Sequence, residues 1–455
     1  MNQPNLGWGG IARLGLVQAC LGAIVVLTTS TLNRVMVVEL ALPALLPGLL
    51  VALHYGVQVT RPRMGFGSDV GGRRTPWIVG GMAVLGIGGA LAALGTAWMG
   101  TNSVAGIALA VLAFMLIGLG VSASGTSLLV LLAKRVEASR RAPAATIVWM
   151  MMIAGFAITA GTAGKLLDPY SPERLVAVTA AVSVAAFVVT LIALYRVEGR
   201  HESSDVPAAP EAKPTFREAL AQVWHEPAAR RFTIFIFVSM LAYSAQDLIL
   251  EPFAGTVFGF TPGGSTRLSG VQHGGVLAGM ILVALVGHRF AGKALGSLRG
   301  WTVGGCLASA LALAGLVAAG LVGPGWPFKA NVFLLGVANG AFSIAAIASM
   351  MRMASVGRHA REGVRMGLWG AAQAVAFGLG GLLGTAASDL ARWLIGSPGL
   401  AYASVFAFEA VLFVVSAVLA ARLAPAPARA PDSMRADPPL STRYGHPAVA
   451  ADGTR

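Results

Sequence analysis

The chain has 455 residues, of which 56% are hydrophobic and only 11% charged, with a mean hydropathy of +0.73. A soluble globular domain carries about a quarter charged residues, so this composition excludes one and points to a polytopic membrane protein. The net charge of +14 would suit a nucleic-acid binder, but its placement along the chain excludes that use.

A membrane-crossing helix needs about 20 consecutive apolar residues. Twelve runs qualify, at 12–33, 41–60, 76–99, 104–133, 145–165, 175–195, 231–250, 271–290, 301–322, 329–350, 366–387 and 400–422. Backbone groups in lipid must be satisfied within the segment, so these predict helices rather than strands. The N-terminal run is too long, and lacks the small-residue cleavage site, for a cleavable signal. With the N-terminus placed in the cytoplasm, 27 of the 33 basic residues fall in cytoplasmic segments and 6 at outer ends. This asymmetry predicts a multi-pass inner-membrane protein with both termini inside. It also accounts for the positive charge, spread over loops that face an anionic leaflet.

Between the second and third runs lies GFGSDVGGRR. Gly65 and Gly72 let two helix ends turn back closely, while Asp69, Arg73 and Arg74 can pair at the cytoplasmic mouth. The spacing resembles the loop between helices two and three of the major facilitator superfamily, except that Val70 stands where a basic residue is usual. The resemblance implies an all-α fold of twelve transmembrane helices in two six-helix halves, residues 1–195 and 231–423. The segment 196–230 between them begins Pro-rich and then reads as a short amphipathic surface helix. There Thr215 and Glu218 match a capping box, and Phe216, Leu220, Val223 and Trp224 share one face. The tail 424–455 is Pro- and Ala-rich and is expected to be disordered. The two halves look like a parallel repeat, the organisation of that superfamily.

Ionisable groups within spans are expensive and usually functional. Asp247 and Glu251 are four apart and share a helix face. Arg34, near the matching end of the first span and close to Glu39, is the candidate cation for them, as a structural ion pair or as a gate between the halves. His54 and His273 lie in paired spans; each can be a helix-to-helix hydrogen-bonding group or an axial ligand for a tetrapyrrole metal, with Gln272 as a further candidate. Gly380 and Gly384 mark close helix packing. Cys20 and Cys306 lie in apolar runs as packing residues. The sequence has no Cys/His cluster at zinc spacing, no phosphate-cradling loop and no nucleophile with its base.

The stretches TLNRVMVVEL (Thr31 to Leu40), SDVGGRRTPW and QDLILEPF (Gln246 to Phe253) resemble the PucC family of phototrophic bacteria over nearly the whole chain. The loop form is nearest to the branch of that family labelled a bacteriochlorophyll synthase chain. The resemblance implies a non-enzymatic role in bacteriochlorophyll delivery and light-harvesting assembly. Its implied partners are light-harvesting polypeptides, bacteriochlorophyll synthase and the pigment itself, bound or passed on, in the intracytoplasmic membrane. Two other readings stay open: a secondary transporter or exporter of a small amphipathic compound, and an accessory subunit of bacteriochlorophyll synthesis. The Asp-rich diphosphate site of a prenyltransferase is missing from the sequence, and the acids Glu39, Asp247 and Glu251 fall nearer the outer ends than the midplane.

Overall fold

A computed structural model describes residues 6–58, 73–137, 140–198, 224–289, 297–355 and 362–423. The described residues form twelve principal helices, a short 3-10 turn at Gly323–Gly325 and no strand. The helices are α1 (Trp8–Glu39), α2 (Leu45–Val57), α3 (Thr75–Met99), α4 (Ser103–Arg135), α5 (Arg141–Leu166), α6 (Pro172–Leu194), α7 (Pro227–Phe258), α8 (Pro262–Arg289), α9 (Leu298–Val322), α10 (Phe328–Ser355), α11 (Glu362–Ile395) and α12 (Pro398–Ala421). Eleven are long and apolar enough to cross a membrane. The exception is α2, with 13 residues in the described range; the rest of its expected run lies outside the described residues, as do Gly65, Asp69, Gly72, most of the 196–230 segment and the 424–455 tail.

Helix packing repeats across the chain. In the first half α1 packs on α5 and α6, α2 on α4, and α3 on α4 and α6. In the second half α7 packs on α11 and α12, α8 on α10, and α9 on α10 and α12. Every pairing recurs six helices later, so the two halves share one architecture. The halves meet along α2 with α11 and α5 with α8, contacts that exchange under the same correspondence. Small residues set the close approaches: a Cβ on Gly384 would lie 2.7 Å from the carbonyl oxygen of Ala245, and one on Gly380 2.5 Å from that of Leu241. Both glycines sit on the α7–α11 contact, the role their spacing predicts.

Helix α1 runs past the end expected from hydropathy, to Glu39, and changes winding in its last turns. Leu27–Thr31 and Val35–Glu39 are single π-helical turns, closed for instance by Leu40 N–H donating to the carbonyl of Val35 at 3.0 Å. Such turns hold one extra residue and often mark functional positions. Helix α7 carries Pro252 inside it, which has no N–H to give the carbonyl four residues back.

Candidate functional site

The end of the bundle that carries the α1–α2 and α7–α8 connections is called distal here. Toward it, α1 is tied to α7 and α8 by a file of buried polar contacts. The Ser30 hydroxyl donates to Glu251 Oε1. The Thr31 and Thr266 hydroxyls are 2.9 Å apart. Asn33 Nδ2 donates to the Leu248 carbonyl at 2.5 Å, the group that Pro252 leaves without its helical partner. Arg34 Nη2 donates to the Phe260 carbonyl at 2.5 Å, and its Nη1 pairs with Glu39 Oε1. A Cβ on Gly255 would lie 3.0 Å from Arg34 Nη2, so the absence of a side chain there leaves room for the guanidinium. Arg34, Asn33 and Glu251 are all almost fully buried.

The expected partnership of Arg34 with the α7 acids is thus redistributed. Arg34 pairs with Glu39 on its own helix and lies against Gly255, one turn from Glu251. It does not meet Asp247, which lies a turn further from the distal end and accepts a hydrogen bond from Gln272 Nε2 at 3.3 Å. A carboxylate buried beside a serine and an arginine can serve as a gate or as a fixed strut, and the geometry accommodates both.

Two further ties join the halves at this end, one on each seam. On the α2–α11 seam, Asp389 accepts from the N–H groups of Ala44 at 3.0 Å and Leu45 at 2.7 Å. Those groups open α2 and have no partner within it, and a carboxylate there also meets the positive end of the helix dipole. Arg392 holds the same carboxylate at 3.1 Å. On the α5–α8 seam, Arg267 pairs with Asp168 at 2.9 Å and donates to the Gly164 carbonyl at 3.1 Å.

The two histidines differ. His54 is buried in the first half, its backbone against Gly118 of α4, and its Nε2 is 2.9 Å from Gln58 Nε2, one turn along. His273 sits on the α5–α8 seam, edge-on to Phe156 with ring centroids 4.9 Å apart. Its Nδ1 is 2.9 Å from the Ser269 carbonyl. A carbonyl only accepts, so Nδ1 carries the proton and Nε2 keeps its lone pair. Gln272 is committed to Asp247 and is less suited to bind a ligand. An apolar groove of about 820 Å³ also runs along α9 and α10, with Trp301 and Trp326 at its ends and Asn331 as one of its few polar groups.

At the opposite end, Glu198, just after α6, caps α3. Its carboxylate accepts from the N–H of Arg74 and from that of Thr75 at 2.7 Å, and Arg135 donates to its carbonyl at 2.5 Å. Burial pushes the Glu198 carboxyl up; hydrogen bonds from Thr75 and the Arg74 N–H, with the Arg74 charge, outweigh this and hold it below its ordinary value. Arg74 therefore stands at a helix start fastened to α6, whereas Arg73 is exposed.

Sequence reasoning passed over Asp389, Asp168, Glu198 and Glu409. The signal for Glu409 was present: a single acid within the apolar run VFAFEAVLF. The two tying acids and the capping one sit near helix ends, where a lone carboxylate draws no notice.

A model of the family described as PUCC protein matches residues 31–427. The chain is 54% identical over 416 residues to the "Bacteriochlorophyll synthase 44.5 kDa chain" of Rhodobacter capsulatus, covering 91% of this chain and 95% of that one. It is 30% identical over 439 residues to "Protein PucC" of Rhodobacter capsulatus, covering 91% and 92%. Among solved structures, a D-xylose-proton symporter superposes with a TM-score of 0.67 at 13% identity, covering 92% of this chain and 98% of that one. A bacterial homolog to the human lysosomal transporter Spinster gives 0.62 at 15% identity, covering 90% and 95%. These two likenesses bear on the fold alone, which is that of the major facilitator superfamily.

Proposed function

Because the chain belongs to the PUCC protein family, we propose that it is a photosynthesis-related membrane protein that binds or passes on bacteriochlorophyll during light-harvesting assembly. The relation to the bacteriochlorophyll synthase chain, at 54% identity over nearly the whole of both proteins, carries this reading. Under it the protein is an accessory to pigment synthesis and assembly rather than the enzyme, placed in the intracytoplasmic membrane with both termini cytoplasmic. Light-harvesting polypeptides and the pigment-synthesising enzyme are its partners.

Within that role His273 is the pigment ligand. Histidines that hold a metal through one nitrogen donate the other N–H to a carbonyl or carboxylate, which fixes the tautomer and ring orientation. The Nδ1–Ser269 contact supplies that support, and the ring lies where the two halves meet. His54 has its Nε2 engaged by Gln58 one turn along the same helix, which leaves that nitrogen less suited to a metal. Bacteriochlorophyll, when bound, would offer its magnesium ion to the lone pair on His273 Nε2. The chain supplies the oriented imidazole, with Phe156 beside it.

The absorption spectrum of the purified protein tests this. The wild type and His54→Phe should co-purify with a bacteriochlorophyll band, and His273→Phe should lose it while remaining folded. A pigment-free wild type isolated from a pigment-producing membrane would refute the handling role. Equal pigment in His273→Phe would refute only the ligand assignment.

The fold equally accommodates a secondary transporter, a reading favoured by the buried carboxylate of Glu251 between α1 and α7. Uptake of a labelled amphipathic compound into vesicles, abolished by Glu251→Gln, would establish it.

A further inference from the structure

The second half contains a layer of buried polar groups that the reading above does not use. Glu409 lies midway along α12 and is 1% exposed, and neither of its carboxylate oxygens has a hydrogen-bonding partner among the described residues. Gln246 of α7 is fully buried, and both atoms of its amide also lack partners. Asn339 of α10 is fully buried; its Oδ1 accepts from Ser309 of α9 at 2.8 Å, and its Nδ2 is unpaired.

Helix register brings these four residues to one level. Phe342 touches Phe413, with centroids 5.6 Å apart, and Tyr243 at 6.3 Å, and a Cβ on Gly305 would lie 2.7 Å from the Phe342 Cβ. One helical turn toward the distal end from each of these lie Asn339, Glu409, Gln246 and Ser309. The contact of Phe253 with Phe406 at 5.1 Å fixes the antiparallel register of α7 and α12 independently, and it too sets Glu409 opposite the turn that begins at Gln246. Four helices of one half therefore carry oxygen-bearing side chains at a single mid-membrane level, beside the Phe342–Phe413 contact.

Among the described residues no salt bridge compensates this carboxylate. The elements packed against α12 bring Asp247 and Tyr243 from α7, Cys306 from α9, and Asp389 and Arg392 from α11 at the distal end only. Among the described residues, the charge that acts on Glu409 is the like charge of Asp247. Buried charges persist where they are paired or hold a cation, and buried polar atoms without partners call for an explanation. Carboxylate, amide and hydroxyl oxygens are the donor set of a small hard cation.

We propose that Glu409, with Gln246, Asn339 and Ser309, forms a binding site for one sodium-sized monovalent cation in the core of the second half. The proposal does not rest on pigment binding. It supplies the midplane acid that the sequence reading took to be missing.

The test is thermal unfolding of the purified full-length protein, with sodium chloride exchanged for choline chloride at constant ionic strength, and separately with pH varied in choline. A sodium ion on the site raises the midpoint with added sodium in the wild type and not in Glu409→Gln. A pH response that Glu409→Gln loses, with no sodium response, reports protonation of the carboxyl alone and overturns the cation site. Identical sodium and pH responses in wild type and Glu409→Gln overturn the proposal. Should Glu409→Gln fail to fold, Gln246→Leu is read in its place: a several-fold weaker cation response supports the site, and an unchanged one overturns it.

Discussion

Arg34 ion-pairs with Glu39, five residues further along the same helix. In a regular α-helix residues five apart point in different directions, whereas a π-helical turn, with its i→i+5 hydrogen bonds, brings them to one side. The winding of α1 thus gives Arg34 a partner on its own helix and leaves its second Nη for the Phe260 carbonyl.

Loss of the arginine should cost more than loss of the pair. Removing one partner of a buried pair costs about 3–5 kcal/mol; Glu39 is a third exposed, so about 3 kcal/mol is expected for Arg34→Ala. Arg34→Ala/Glu39→Gln should recover part of this in chemical unfolding of the detergent-solubilised protein. Strictly additive losses would show that the pairing contributes nothing.

Asp389→Ala removes the acceptor for two N–H groups of α2. Loss of a helix N-cap costs about 0.5–2 kcal/mol, and Asp389→Asn, which retains an acceptor, should lose less. Unfolding midpoints of the two variants decide this, and an Asp389→Ala variant as stable as wild type would contradict it.

The Glu198 cap predicts an acid-sensitive contribution. Its carboxyl is held below the ordinary value in the folded protein, so its stabilisation is fully present above the unfolded value, about 4.3, and disappears as pH falls through the lower folded value. The stability difference between wild type and Glu198→Gln should be constant near neutrality and shrink below about pH 4. A difference that grows on acidification would reverse the sign and refute the cap.

The distribution of basic residues predicts the orientation. Reporter fusions at Gly199 and after Arg422 should both report a cytoplasmic location, and a periplasmic signal at either would break the twelve-span topology.

Much of this architecture was legible in the sequence because lipid imposes length and composition on every span. The twelve runs, the six-and-six division and the glycine contact of α7 with α11 all follow from that constraint. The site was less legible. A 3.6-residue periodicity cannot show that Arg34 and Glu39 share a face, since the π turns depart from it. Pro252 announces an orphaned carbonyl, but which side chain reaches it is decided by how α1 lies on α7, and that brings Asn33. Both histidines are visible as span residues; the carbonyl beside Nδ1 of His273 and the amide beside Nε2 of His54 distinguish their surroundings.

The start of α2 is completed by a carboxylate from α11, so the first half does not contain everything its own secondary structure requires. Expressed alone, it would carry a frayed helix end. The two halves therefore share a helix cap, and parting them along that seam would take the Asp389 carboxylate away from the Ala44 and Leu45 N–H groups.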